Sequence, residues 1–89
     1  MTKDQANEVK KIVKREVGNF TVYYNSKAEE LRITVAQWPD GCTADVKALE
    51  ERNIFNILAA LTNNGLRPRY ERASKRYQGF INCRYLIFK

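Results

Sequence analysis

The residues best suited to do chemistry in this chain are a run of cations and aromatic rings near its C-terminus. Arg67, Arg69, Arg72, Lys75, Arg76, Arg84 and Lys89 stand against one acid, Glu71, and are interleaved with Tyr70, Tyr77, Phe80, Tyr85 and Phe88. Cations hold phosphates or carboxylates. Flat rings beside them stack on bases or anchor in a partner's pocket, so the combination is that of a surface for nucleic acid or for protein. The net charge of +6 comes entirely from this stretch, because the first 65 residues carry nine basic and nine acidic side chains. Arg67, Arg69, Tyr70, Arg72, Lys75, Arg76, Tyr77 and Arg84 are therefore the candidate binding residues. The cations between 67 and 76 are expected to project into solvent with little structural duty.

A second basic group, Lys10, Lys11, Lys14 and Arg15, falls on one side of the first helix. Asp4, Glu8 and Glu16 offset much of it, and a charged run on an amphipathic helix is most often its wet side. It is kept as a secondary binding candidate.

Catalytic machinery is hard to assemble from what is present. There is no histidine, which removes the commonest general base near neutral pH, and the four glycines stand singly rather than in a phosphate-cradling loop. Asp40 and Asp45 could hold a metal, but a turn and the first turn of a helix account for them. The expectation is a protein that is not an enzyme, with no cofactor and no metal. Cys42 and Cys83 are read as small apolar side chains rather than a disulfide, in keeping with a reducing compartment. No apolar run approaches the roughly 20 residues of a membrane span, and residues 1–5 lack a secretory pattern. A cytoplasmic protein without a membrane partner is expected, forming one domain over residues 1–89.

The elements that must position these groups follow from periodicity. Thr2 and Gln5 have capping-box spacing, and Ala6, Val9, Ile12, Val13 and Val17 recur on one helical face. Phe20, Val22 and Tyr24, then Leu31, Ile33 and Val35, alternate with polar neighbours across a loop at 26–30, which predicts an antiparallel hairpin. Trp38 to Gly41 reads as a tight turn. Thr43 is the expected N-cap of a second helix with Asp45 in its first turn, and Val46, Leu49, Ile54, Ile57, Leu58, Ala60 and Leu61 form a broad apolar face. Asn64-Gly65 stops that helix, with Leu66 folding back on Leu61. A third strand from Leu66 is expected to turn near Ser74 to Arg76 and return as a fourth from about Gln78 to Phe88. In that strand Ile81, Cys83, Tyr85 and Ile87 are assigned to the helices.

The order α-β-β-α-β-β predicts an α+β fold, a four-stranded antiparallel sheet with two helices on one face. The other face would be open, with Thr21, Tyr23, Arg32, Thr34, Trp38, Phe80, Arg84, Leu86 and Phe88 as its expected lining. Such aromatics serve either as core or dimer contacts or as a base-stacking platform, and a homodimer is one of the arrangements they admit.

The run from Val9 to Val46, with Lys/Arg pairs leading into Phe20-Thr21-Val22, then Leu31 to Val35, then Trp38-Pro39-Asp40-Gly41, resembles a small domain associated with large polyvalent proteins of phages and mobile elements. The resemblance implies a mobile-element protein acting on host machinery and brings no catalytic residues with it. A small protein of that provenance without catalytic apparatus acts by occupying something, as anti-CRISPR inhibitors of host defence do. The partner would be a host protein or ribonucleoprotein complex; the alternative is a general module for single-stranded DNA or RNA.

Overall fold

A computed structural model describes residues 1–41, 45–77 and 79–89. Helix α1 (Lys3–Glu16) begins in the expected capping box. The Thr2 hydroxyl accepts from the Gln5 amide at 3.2 Å, and the Gln5 side chain accepts from the Thr2 amide at 2.9 Å. Asp4 in the first turn and Lys14 and Arg15 in the last complement the helix dipole. Strands β1 (Val22–Asn25) and β2 (Glu30–Pro39) form the predicted hairpin. Its turn is tightened by the Asn25 side chain, which accepts from the amides of Lys27 and Ala28.

Helix α2 (Val46–Asn63) ends where its sequence says it should. Gly65 adopts φ +78°, the Leu66 amide reaches back to the Leu61 carbonyl, and the Gly65 amide reaches the Thr62 carbonyl, a Schellman closure. Its start differs from expectation. Asp45 is the N-cap residue itself, in a left-handed conformation with φ +60°, and not a first-turn acid. Thr43, the expected cap, and Cys42 lie outside the described residues.

Strands β3 (Tyr70–Tyr77) and β4 (Ile81–Phe88) complete one antiparallel sheet in the order β1-β2-β4-β3, with β4 central. The turn between them is not at Ser74 to Arg76, which lie inside β3. It falls where Gly79, at φ +74°, supplies the backbone conformation that side chains resist. Leu66 to Arg69 connect α2 to β3, which begins at Tyr70 and not at Leu66 as expected, and the Arg69 carbonyl accepts from the Lys89 amide at the end of the ladder.

Both helices cover one face. Ala6, Val9, Ile12 and Val13 of α1, Ile54, Ile57, Ala60 and Leu61 of α2, and Leu31, Ile33, Val35, Leu86 and Phe88 of the sheet form one buried cluster. Cross-strand partners share a face, so the pairs Leu31–Phe88 and Ile33–Leu86 fix the even-numbered residues of β4 toward the helices. This reverses the expected assignment. Leu86, Phe88 and Arg84 look inward, and Ile81, Cys83, Tyr85 and Ile87 look to the open side. Among the described residues no helix is long and apolar enough to cross a membrane.

A β-bulge interrupts the regular pleat. Thr34 pairs with Tyr85 and Ala36 with Arg84, leaving Val35 as an extra residue. Val35 and Ala36 are consequently both buried, and the alternation beyond them is inverted. Gln37 joins the open face, and Trp38, opposite Asn82, moves to the helix side instead of lining the open face as expected. The Val35 carbonyl accepts a hydrogen bond from the Asn53 side chain of α2 at 2.6 Å, which satisfies a backbone group on the bulged residue.

Candidate functional site

The C-terminal arginines divide by strand parity. Arg72, Arg76 and Arg84 lie at helix-side positions, and each meets an acid from earlier in the chain. Arg72 grips Glu51 of α2 with two nitrogens, at 2.5 and 3.2 Å. Arg76 bonds to Asp40 at the end of β2, whose other oxygen accepts from Asn82 at 2.7 Å. Arg84 lies 3.9 Å from Glu50 and 5.7 Å above the Trp38 ring. These contacts also explain why the first turns of α2 depart from the predicted apolar face. Over the β3 side of the sheet α2 presents Glu50 and Glu51 to arginines, and Leu49 is left exposed.

The expectation that the cations of this segment project freely into solvent is thus wrong for Arg72 and Arg76, which tie β3 to α2 and to β2. The carboxyls respond as their contacts require. The Asn82 amide and then the Arg76 guanidinium hold Asp40 below its ordinary value. Hydrogen bonding from Arg72 lowers Glu51 and raises Arg72 in return. All of these groups are at the surface, so the pairs link elements more than they stabilise the fold. Asp40, weighed above as a metal ligand, is occupied by Arg76 and Asn82.

The open face has a different centre. Arg32 of β2 places its guanidinium 4.7 Å from the Tyr85 ring centroid and 5.2 Å from that of Tyr23. Tyr85 is only 4% exposed and Tyr23 is 55% exposed, so the guanidinium roofs one ring and borders the other. Among the described residues Arg32 has no carboxylate partner. The three side chains, with Thr21, Thr34 and Gln37, line a shallow depression of about 290 Å³ floored by Cys83 and Ile81. Cys83 is buried with a free thiol. Tyr85 and Gln37 are absent from the expected lining. The doubly apolar sequence of β4 hid the first, and the bulge hid the second.

Of the remaining candidates, Tyr70 is half exposed, with its ring edge-on to Phe88 at 6.4 Å. Lys75 stands opposite Cys83 and Tyr77 opposite Ile81 in the register. Arg67 lines a separate hollow with Pro68, Lys89 and the start of α1, and Arg69 is exposed. No match was found. Protein-family models, curated proteins and solved structures alike returned nothing similar, so the reading of this surface rests on its own geometry. On α1, Arg15 is held by Glu16 at 2.8 Å and by Asn64 at 3.3 Å, and hydrogen bonds donated to Glu16 by Arg15 and by the Asn64 side chain, the latter at 2.7 Å, lower the Glu16 pKa. Lys10, Lys11 and Lys14 form no ion pair among the described residues, and Lys10 and Lys14 border a hollow with Gly18, Asn19 and Phe20.

Proposed function

We propose that this protein acts by binding and not by catalysis, as an accessory protein of a phage or other mobile element that occupies a host defence nucleoprotein complex inside the bacterial cell. The contact is made with a protein surface, and it is centred on the open face of the sheet rather than spread over the C-terminal hairpin. The observation that carries this reading is the Tyr23–Arg32–Tyr85 array. A guanidinium fixed between two rings keeps its charge and several N–H donors without an internal acid, and it has lost little freedom still to lose on binding. Arginine and tyrosine held in this way are the residues that dominate protein interfaces, and a partner carboxylate is their natural counterpart. The resemblance in the first half of the chain supports the mobile-element provenance, and the net charge of +6 supports an acidic target.

Base stacking is less well served by this face. Sheets that read single strands present two or three exposed rings, whereas Tyr85 is covered by Arg32 and Tyr23 is the exposed ring among the described open-face side chains. The second reading, a nucleic-acid module, is favoured by Lys10, Lys11 and Lys14, whose charges are not matched locally.

Pull-down from a bacterial lysate treated with nuclease, using wild-type protein and variants, tests the proposal. Arg32→Ala and Tyr23→Ala are each expected to weaken capture by roughly 2 kcal/mol, about thirtyfold. Arg72→Gln and Arg76→Gln should retain it. Capture that disappears with nuclease, or binding to bulk DNA or RNA that falls steeply with salt and is lost in Lys10, Lys11 and Lys14 charge reversals, would transfer the function to the second reading.

A further inference from the structure

The outer edge of the sheet is self-complementary, and we infer that β3 pairs with β3 of a second copy across a two-fold axis at Ala73, joining two sheets into one of eight strands. The inference concerns the edge of the sheet and is independent of the reading of its open face. The sheet has two edges, and they are unequal. β1 offers four residues, whereas β3 offers eight, paired along one side with β4. The Lys89 amide donates to the Arg69 carbonyl at 2.9 Å, making Arg69–Lys89 a hydrogen-bonded pair. By antiparallel alternation Glu71, Ala73 and Lys75 also bond toward β4, so the N–H and C=O groups of Tyr70, Arg72, Ser74 and Arg76 point outward.

An exposed edge of this length is a template for another strand, and basic side chains are a common way of blocking one. Here two of the edge cations, Arg72 and Arg76, are already matched by Glu51 and Asp40 on the helix side. The sequence then selects a register. A two-fold axis normal to the sheet pairs residues that share a face, so it must pass through one residue of β3. Centring on Arg72 or on Lys75 apposes two cations, centring on Glu71 apposes two carboxylates, and centring on Ser74 sets Arg72 against Arg76. Centring on Ala73 sets Glu71 against Lys75 twice, Arg72 against Ser74 twice and Tyr70 against Arg76 twice. It also places the smallest side chain on the axis, in a non-hydrogen-bonded pair where the two chains come closest. The outward groups of Tyr70, Arg72, Ser74 and Arg76 are then the ones that exchange hydrogen bonds.

Sedimentation equilibrium across about 1 to 300 μM tests for a species of twice the 10.4 kDa chain mass. The wild-type protein should dimerise in this range. Ser74→Pro removes an outward N–H that β4 does not use, so it should give a monomer with an unchanged circular dichroism spectrum. The register is tested by charge. Glu71→Lys and Lys75→Glu should each weaken self-association by about tenfold through two like-charge pairs, and an equimolar mixture of the two variants should recover it, because every pair across the axis becomes opposite again. That recovery cannot arise from damage to either monomer, so the test survives if Ser74→Pro fails to fold. A wild-type monomer throughout the range, a dimer that persists in folded Ser74→Pro, or a mixture no tighter than its components would each overturn the inference.

Discussion

Arg32 and Arg72 are the same residue on the same sheet, and the comparison between them separates its two faces. Arg72, on the covered side, is gripped by Glu51, and its neighbours Arg76 and Arg84 are likewise met by Asp40 and Glu50. Arg32, on the open side, is met by rings. A carboxylate cancels the charge it holds and directs it inward, whereas a tyrosine ring orients a guanidinium without neutralising it. The covered face therefore converts cations into ties between elements, and the open face holds Arg32 in place with its charge unneutralised by any carboxylate among the described residues.

The largest effect that can break this comparison lies in β4, where adjacent residues report on opposite faces. Removing Tyr85 to Lys89 should abolish the cooperative melt, since Tyr85, Leu86 and Phe88 are all buried. The finer version is Leu86→Ala, expected to cost about 2 to 5 kcal/mol in denaturant unfolding, against a smaller loss for Ile87→Ala on the half-buried open side. Equal losses would show that the face assignment is wrong.

Next comes the bulge, which sets where the two faces exchange. Asn53→Leu should destabilise by about 1 to 3 kcal/mol, because the Val35 carbonyl would be left without its donor in a half-buried site. Urea unfolding measures this directly, and an unchanged midpoint would mean that water replaces the amide.

The ties themselves give a pH signature. Asp40, Glu51 and Glu16 have folded pKa values below their ordinary ones, so at acid pH the unfolded chain binds more protons than the folded chain. Their contribution is complete above about pH 4.5, the ordinary glutamate value, and declines as pH falls through the lowered folded values. The melting temperature should drop over that acid range, and the drop should shrink in the Asp40→Asn, Glu51→Gln double variant. Smallest of all is the expected effect of Arg76→Gln at neutral pH. A solvent-exposed pair contributes little to stability, so its melting temperature should barely move.

The element order, the Thr2–Gln5 box, the Gly65–Leu66 closure and the apolar stripe of α1 were all legible in sequence, because each is a local pattern with a local cause. The facing of β4 was not. Ile81, Cys83, Tyr85 and Ile87 are as apolar as Leu86 and Phe88, and period two carries no information when both phases are apolar. Trp38 was misplaced because one extra residue at Val35 is invisible in a composition that is apolar on either side of it. Ser74 to Arg76 looked like a turn for their polarity, but an edge strand is polar too, and the glycine that makes the real turn comes later. The pairing of Arg72 with Glu51 and of Arg76 with Asp40 joins residues 21 and 36 positions apart, a relation that only the fold establishes.

The extra residue in β2 has an evolutionary side as well. Loss of the Val35 codon would restore unbroken alternation through the end of the strand and leave Gln37 on the open face and Trp38 on the helix side, because Thr34–Tyr85 and Ala36–Arg84 are already consecutive pairs in the register. A one-residue change of length elsewhere in a paired strand turns over every position downstream, but here it is taken up by the one residue that stands outside the ladder. The strand can thus differ in length by one residue at Val35 while the face that holds Arg32 keeps the same side chains.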